Sequence, residues 1–470
     1  MSLLTLQRQN EHFLMKILLR AVFILFFVAG FSAYDSRISS ANFNENEILT
    51  ENESLDIFKI LSADKIFRLD SLINDFSIRT RFNGNILVAL NGHNIFERSV
   101  GYADPITKSF SKPETIYQLA SVSKQFTAAA IMLLKSDGRL SFDDLITKYL
   151  PELPYKDITI KHLLHHMGGL PNYMYLTDNY WKKETPPDNE DVVELMASHN
   201  LPVFFKPGSR YDYSNTGYVM LATIVQRITG LSLNEFLQRR IFSPLGMRST
   251  YVFSTADSSM QKRHIDGFRA LRSGYARIAD TRNNGPVGDK GVCSTTGDMF
   301  KWDRALYTDF PIKHEILEEA FSESETNSGK IVPYGFGFRI RELNEGKVIY
   351  HNGLWEGART NFHRYIQQQN TIIVLNNTSI RTNHELVRLI EATIGPSVDN
   401  NPTETIARLA MEEGAVSAHE FYDELQQEHP ELRVNFRSIM EVAAYLHKVG
   451  KTNKASQLEE FCTEALKKEA

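Results

Sequence analysis

Strand-forming segments stand near both ends of the first 395 residues, and this distribution constrains the fold more than any other feature. Two β-prone runs, residues 85–90 and 94–100, are joined by Asn91-Gly92, a pair that tolerates the positive φ angles of a tight hairpin turn. Three further β-prone runs come much later, at residues 347–351, 359–365 and 371–375. An early hairpin and late strands predict one antiparallel sheet made from both ends of this region.

Helical patterns surround these strands. Residues 62–76 carry apolar side chains at helical spacing, residues 385–394 form a closing amphipathic segment, and residues 140–310 are mainly helical in pattern. The sequence therefore predicts a mixed α/β fold, in which the antiparallel sheet is flanked by helices and interrupted by a helical insertion.

The composition changes after a linker of Gly, Pro and Asn at residues 395–402. Four charged helical segments follow, and we expect an all-helical extension over residues 403–470. The spacing of Gly414 and Gly450 is similar to that of tetratricopeptide-type helical hairpins. Two interpretations stay open: a helical cap that packs on the preceding domain, or a module that binds a protein partner.

The N-terminal 33 residues have the pattern of an export leader. Arg8, Lys16 and Arg20 precede an apolar run at residues 21–33 that is too short to span a bilayer comfortably. This pattern predicts a cleaved signal peptide or an uncleaved membrane anchor. In both cases we expect a periplasmic or extracellular protein. Residues 34–54 are rich in Asn, Ser and Glu and predict a disordered tether, which leaves residues 55–395 for the main domain.

Charge and cysteine content exclude two classes of protein. The formal net charge is -5 and no basic stripe is present, so we expect no nucleic-acid partner. The chain contains 2 cysteines, Cys293 and Cys462, far apart in sequence. An exported chain of this kind is not a disulfide scaffold, and both thiols are expected to be buried and free.

Ser121 is the candidate nucleophile, because Lys124 follows it at the start of a largely apolar helix that runs to Leu134. Residues three apart share one face of a helix, so the amine lies within reach of the hydroxyl. Lysine can take the serine proton only if burial and the helix dipole lower its pKa. Ser-x-x-Lys also occurs elsewhere in this chain, so the motif alone leaves open an N-cap serine beside a solvated lysine.

A second segment places Tyr213 and Asn215 on a loop between turn-forming residues 206–211 and an apolar helix after Thr216. Loops held by a rigid scaffold often carry functional side chains. A Tyr-x-Asn sequence is by itself a weak signal.

Three motifs taken in order carry a family resemblance: Ser121-Val122-Ser123-Lys124, Tyr213-Ser214-Asn215 and His351-Asn352-Gly353. Over roughly residues 60–395 the chain resembles the serine β-lactamase and penicillin-binding-protein superfamily. The similarity is to the branch that holds class C β-lactamases, D-peptidases of the class C type and related esterases. Motifs of this kind in a fixed order are far more specific than any one of them.

The resemblance implies roles for the individual residues. Ser121 would attack a carbonyl carbon while Lys124 and Tyr213 share the proton transfers, with the Tyr213 pKa lowered by Lys124. Asn215 would bind the substrate amide. The oxyanion would be held by the backbone N–H groups of Ser121 and of Leu354, which follows Gly353, at about 3 kcal/mol per donor.

His351 stands where many β-lactamases of the superfamily carry a lysine that holds the substrate carboxylate. The resemblance therefore favours D-peptidase or esterase activity over efficient β-lactam hydrolysis. The substrate would be a small molecule or a peptide, such as one derived from peptidoglycan. The alternatives are a stably acylated penicillin-binding sensor and a catalytically inactive binding protein.

Trp355 would either shape an acyl pocket or fill the core.

His162, His165 and His166 could form a metal site or belong to a structural helix end, and the metal site is the weaker of these two interpretations. Their spacing could place two imidazoles on one helical face, but no His-Glu-x-x-His motif or acidic partner accompanies them. We expect no metal and no cofactor. The sequence also contains no Gly-x-Ser-x-Gly, which removes the α/β-hydrolases as an alternative.

Overall fold

An antiparallel sheet organises the part of the chain that the computed structural model describes, residues 49–343, 346–395, 402–429 and 433–469. All of these residues belong to one compact unit. In chain order the strands are β1 (Gly84–Leu90), β2 (His93–Val100), β3 (Tyr102–Asp104), β4 (Ser109–Phe110), β5 (Tyr117–Gln118), β6 (Tyr251–Val252), β7 (Phe268–Ala270), β8 (Tyr275–Arg277), β9 (Val292–Ser294), β10 (Ser324–Glu325), β11 (Ile331–Val332), β12 (Arg339–Leu343), β13 (Gly346–Trp355), β14 (Ala358–Tyr365) and β15 (Asn370–Asn376).

Helices cover both faces of that sheet and form the C-terminal part of the chain. They are α1 (Glu51–Leu61), α2 (Ala63–Thr80), α3 (Lys124–Ser136), α4 (Ile160–Leu164), α5 (Tyr173–Tyr180), α6 (Asn189–His199), α7 (Asn215–Thr229), α8 (Leu233–Leu237), α9 (Thr296–Ala305), α10 (His314–Ala320), α11 (Asn383–Ile394), α12 (Pro402–Glu412), α13 (Ala415–Glu428), α14 (Phe436–Lys448) and α15 (Thr452–Glu469).

The main sheet has six strands in the order β12-β13-β14-β15-β1-β2, and each neighbouring pair is antiparallel. Ile86 of β1 is opposite Val374 of β15, so the two ends of the catalytic region meet in the middle of the sheet, as predicted. Asn91 and Gly92 have φ angles of 49° and 78°, the conformation expected for the hairpin turn. The mixed α/β prediction is confirmed. Strand β12 was not predicted, and β13 runs on to Trp355 rather than ending at residue 351.

Alternate residues of the central strands bury two separate cores. Leu87 and Ala89 belong to the large core formed with α3, α7 and the helical insertion. Ile86 and Val88 belong to a second core formed with α2 and α11. Successive side chains on a strand point to opposite faces, so the catalytic region has three layers with the sheet in the middle.

The insertion is helical from α4 to α9, as predicted, but it also contains short strands. Strand β9 pairs with both β5 and β6, and Tyr117 of β5 is opposite Ser294 of β9. This small sheet brings the segment that precedes β9 next to the chain entering Ser121. Cys293 and Cys462 are buried and free, as expected.

The predicted leader and the tether up to residue 48 lie outside the described residues. We expected disorder as far as residue 54, whereas α1 begins at Glu51. Thr50 and Glu53 form a reciprocal capping box: the Thr50 N–H donates to the Glu53 carboxylate at 2.7 Å, and the Glu53 N–H donates to Thr50 Oγ1 at 3.2 Å. Within the described ranges, no helix combines the length and apolar content needed to cross a bilayer.

The bounds of helices α12–α15 differ by only a few residues from those of the four predicted helical segments. These helices share a core with α1. Ile57 and Leu61 of α1 pack with a set that includes Ile406, Ala443 and Leu446. The Asn91 amide of the β1–β2 turn also donates to the Glu404 carboxylate at 3.1 Å. The extension thus has the contacts of a helical cap, and protein binding by it stays a prediction.

Candidate active site

Ser121 lies in a 3-10 turn, Ala120–Ser123, that leads directly into α3. The Leu119 N–H donates to the Val292 carbonyl at 2.8 Å, and Thr360 Oγ1 donates to the Leu119 carbonyl at 2.7 Å. Ala120 has a φ of 50°, a conformation that costs a non-glycine residue free energy and that the flanking bonds must hold. The nucleophile candidate is therefore placed on a turn fixed from two sides.

The Lys124 side chain is fully buried beside this turn. Its Nζ donates to Asn215 Oδ1 at 2.8 Å, to the Asp289 carbonyl oxygen at 2.8 Å and to Ser121 Oγ at 3.3 Å. Burial lowers the pKa of Lys124 to about 7, while the Asp289 carboxylate acts to raise it. At neutral pH a large fraction of this amine is uncharged and able to accept a proton.

Tyr213 lies next to this pair, but its protonation differs from our expectation. The buried hydroxyl lies near Ser121 without a hydrogen bond of normal geometry to any described residue. Burial raises the pKa of the phenol above its ordinary value, and the Ser121 hydroxyl offsets only part of that rise. Lys124 Nζ lies 4.9 Å from the ring centroid. Because this amine loses its charge near pH 7, well before the phenol titrates, it does not lower the phenol pKa as predicted.

His166 supports the loop that carries Tyr213. The Ser214 N–H donates to His166 Nδ1 at 3.1 Å, and the imidazole lies 4.3 Å from the Tyr213 ring centroid. Ser214 is also the N-cap of α7, so Asn215 is the first helical residue rather than part of a free loop. The helix N-terminus thereby fixes the amide that contacts Lys124.

Strand β13 forms the opposite wall. It pairs with β12 only as far as Tyr350, so residues 351–355 pair with β14 alone and leave one edge free. A Cβ on Gly353 would overlap Thr360 Oγ1 and the Leu119 carbonyl oxygen. The absence of a side chain is what lets this strand approach the Ser121 turn. Leu354, next in sequence, is 60% exposed at that edge.

His351 is buried and uncharged. Its Nδ1 faces the Asn352 carbonyl at 2.8 Å and therefore carries the proton, and Nε2 accepts from the Tyr334 hydroxyl at 3.1 Å. Burial and the nearby cations hold its pKa well below the ordinary value. Its ring centroid is 6.0 Å from that of Tyr213, so all three motifs meet at one place.

Arg339, the first residue of β12, supplies a cation at the rim. Its guanidinium lies 5.5 Å from the Tyr213 ring centroid, and its side chain has no carboxylate within ion-pair distance among the described residues. Arg341, two positions along the strand, is instead paired with Glu391 at 2.7 Å. An unpaired guanidinium beside the free edge of β13 can bind an anionic group.

A cleft of about 230 Å³ opens beside Tyr213 and Asn215. Leu170, Phe204 and Phe205 give it an apolar wall. Trp355 does not fill the core; it is half-buried, and its Nε1 donates to Asn284 Oδ1 at 2.7 Å.

The structure brings together the residues singled out in sequence, Ser121, Lys124, Tyr213, Asn215, His351, Gly353 and Leu354. Sequence reasoning missed the Asp289 carbonyl, Arg339, Tyr334 and the support from His166.

No group of three or more His, Cys, Asp or Glu side chains within the described segments is arranged to hold a metal ion. His165 Nδ1 is bonded to the Tyr334 carbonyl, and His162 Nδ1 accepts from the Thr159 N–H.

Comparison with known proteins agrees with this geometry. The sequence pattern that defines the Beta-lactamase family matches residues 69–392. Penicillin-binding protein 4* of Bacillus subtilis (strain 168) is 33% identical over 344 residues, which cover 69% of this chain and 74% of that protein. The chain belongs to the Beta-lactamase family. It is a serine hydrolase.

Two further relatives of this Beta-lactamase family chain are informative. A D-aminopeptidase of Brucella anthropi is 27% identical over 297 residues, covering 62% of this chain and 56% of that protein. The crystal structure of a penicillin-binding protein from Bacillus halodurans superposes with a TM-score of 0.59 at 24% identity, covering 69% of this chain and 98% of that one. The last similarity establishes the fold alone.

Proposed function

We propose that Ser121 attacks the carbonyl carbon of an amide or ester and forms an acyl-enzyme that water then hydrolyses. The observation that carries this proposal is the buried Lys124 amine, which is bonded to Ser121 Oγ at 3.3 Å and has a pKa of about 7. The neutral amine accepts the hydroxyl proton as the C–O bond forms. Tyr213, whose phenol is protonated at neutral pH, gives its proton to the departing amine or alkoxide and regains one from the Lys124 ammonium.

The remaining motif residues hold the substrate in this proposal. Asn215 bonds the substrate amide while it fixes Lys124. The backbone N–H groups of Ser121 and Leu354 stabilise the tetrahedral oxyanion, by about 3 kcal/mol for each donor. The close approach of Gly353 to the Leu119 carbonyl supports this assignment, because it sets the distance between the two donors.

The substrate class we favour is a D-amino-acid peptide or amide, or an ester, rather than a β-lactam. His351 is neutral and buried, so this position offers no cation to a β-lactam carboxylate. Arg339 offers one from another direction, over the Tyr213 ring. The likeness to a D-aminopeptidase supports this class, and a peptide from the bacterial cell wall would fit an exported enzyme.

One experiment tests the reaction and the substrate class together. The purified protein is incubated with a p-nitrophenyl ester, a D-Ala-D-Ala peptide, a D-amino-acid p-nitroanilide and a chromogenic cephalosporin, beside Ser121→Ala. We expect Ser121-dependent turnover of the ester and of a D-peptide or D-anilide, with slow cephalosporin hydrolysis. Faster turnover of the cephalosporin would contradict the substrate class. A fluorescent penicillin and a fluorophosphonate probe are added in parallel reactions. A stable penicillin adduct without any turnover would support a sensor, and no labelling by the fluorophosphonate would support an inactive binding protein.

Export, anchoring and partner binding are separate proposals. We infer export from the charged and apolar pattern of residues 1–33, and cell fractionation tests it. Protein binding by residues 403–470 is tested by comparing partners captured by the full chain and by a variant with altered surface residues on α13 and α15.

A further inference from the structure

A buried ion pair stands directly behind the catalytic amine. The Asp289 and Lys290 side chains are 1% and 4% exposed, and Lys290 Nζ lies 3.3 Å from Asp289 Oδ1. Burying two charges is costly unless each finds further partners. A lysine at this depth therefore needs an explanation that the Ser-x-x-Lys chemistry does not supply.

Lys290 closes a ring of polar contacts. Its Nζ donates to the Tyr173 hydroxyl at 2.7 Å and to the Pro286 carbonyl at 3.2 Å. The Tyr173 hydroxyl in turn donates to Asp289 Oδ2 at 3.2 Å, so Asp289, Lys290 and Tyr173 are joined in a cycle. The ammonium also lies 4.7 Å from the Trp355 ring centroid. Lys290 thus touches the strand residue that follows the Leu354 oxyanion donor.

The same segment contacts the catalytic amine through its backbone. The Asp289 carbonyl accepts from Lys124 Nζ at 2.8 Å, and the Gly288 carbonyl accepts from Thr127 Oγ1 at 2.7 Å. Gly288 has a φ of 110° and passes close to the backbone of Tyr218, so the segment is tightly confined. The orientation of the Asp289 carbonyl is fixed from the α3 side by Thr127 and from the other side by the ring.

We propose that Lys290 is a positioning residue, which holds the Asp289 carbonyl against Lys124 and balances the Asp289 carboxylate beside the catalytic amine. The Asp289 carboxylate favours the charged form of Lys124, and the Arg339 guanidinium disfavours it. Without Lys290 the Asp289 carboxylate would lose the cation paired with it and would act more strongly on Lys124. With Asp289 and Lys290 both present, the Lys124 amine stays neutral enough to accept a proton. This inference rests on the proposed role of Lys124 as the base.

The titratable and charged groups that face Lys124 come from several elements. They are Asp289 and Lys290 from the segment before β9, Arg339 from β12, His351 from β13, His166 and Tyr213 from the loops, and Tyr218 from α7. Asp289 is the anion of this set. The experiment therefore tests whether Lys290 offsets the effect of the Asp289 carboxylate on Lys124.

The experiment measures the rate of Ser121 labelling by a fluorophosphonate as a function of pH. This readout needs only an activated serine and is independent of the substrate class. We expect Lys290→Met to move the acid limb of the profile upward by about one pH unit. Asp289→Asn should move it downward, and the double variant should return it towards that of the unaltered protein. Opposite shifts cannot arise from a general loosening of the site.

Lys183 provides a matched control at the surface. It pairs with Asp191 at 3.1 Å, lies 4.6 Å from the Trp181 ring centroid, and its side chain is 62% exposed. Lys183→Met removes the same kind of Lys-Asp-Trp contact and should leave the profile unchanged.

Four outcomes overturn the inference or separate it from the proposed function. An unmoved limb in both single variants would overturn the role of Lys290, and so would shifts in the same direction. If the single variants do not fold, Tyr173→Phe opens the ring without changing a charge. It should slow labelling at least threefold and move the limb, and an unchanged profile would overturn the inference. A chain whose Ser121 is never labelled would instead contradict the proposed function.

Discussion

Gly353 of β13 and the Leu119 carbonyl oxygen are in direct contact across the site, with no room between them for a side chain. A Cβ at Gly353 would overlap that oxygen and Thr360 Oγ1, and would stand 3.1 Å from Ala120 Cβ. Both β13 and the Ser121 turn would have to separate. We therefore expect Gly353→Ala to lower kcat by at least about 100-fold, because a displaced oxyanion donor costs about 3 kcal/mol. Steady-state kinetics on an ester substrate measures this.

Gly297 in α9 is the control for that change. A Cβ there meets nothing within 4 Å, so Gly297→Ala should leave kcat unchanged and raise helix stability by roughly 0.5–1 kcal/mol. Full activity in Gly353→Ala would show that the two donors do not act on one carbonyl.

The pH profile should report the buried lysine. Burial lowers the pKa of Lys124 to about 7, and only its neutral form accepts the Ser121 proton. We expect kcat/KM to fall about tenfold per pH unit below that value and to level off above it. The Tyr213 phenol stays protonated well above neutral pH because burial raises its pKa, so the plateau should extend into the alkaline range. An acid limb near pH 4–5 would instead indicate a carboxylate base.

Arg339 should discriminate between charged and neutral substrates. Hydrogen bonds to a charged group contribute about 1.5–3 kcal/mol. Arg339→Gln should therefore raise KM for a peptide with a free C-terminal carboxylate by about 10- to 100-fold, with a much smaller effect on a neutral ester at pH 8.5. Arg341→Gln is the control, because Arg341 is already paired with Glu391 at 2.7 Å. Equal losses on both substrates would remove Arg339 from substrate recognition.

The Asp303–Arg364 pair should be a major contributor to stability. Both side chains are fully buried, and Arg364 Nε lies 2.6 Å from Asp303 Oδ1. Asp303→Asn leaves that guanidinium without its carboxylate and should lower the free energy of unfolding by about 3–5 kcal/mol. Asp75→Asn, which breaks the exposed Asp75–Arg79 pair, should cost roughly 0.3–0.5 kcal/mol. Urea denaturation measures both, and equal losses would show that the buried pair contributes no more than an exposed one.

Local sequence signals predicted much of the fold and the site. The Asn91-Gly92 hairpin needs two positive φ angles, which few residue pairs supply, and the ordered motifs named Ser121, Tyr213 and His351. The Asp289 carbonyl escaped prediction because a backbone acceptor has no side-chain signature. Arg339 reaches Tyr213 only through the register of β12 on β13, a long-range property. The sign of the Tyr213 pKa shift was wrong because the sequence does not reveal how deeply the hydroxyl is buried.

The packing of α1 on the C-terminal helices has a consequence for how the chain is made. Ile57 and Leu61 find their apolar partners in residues that leave the ribosome hundreds of residues later. At about 5–20 residues per second, α1 waits tens of seconds with that surface uncovered. The native packing around α1 is therefore complete only after α12–α15 have emerged.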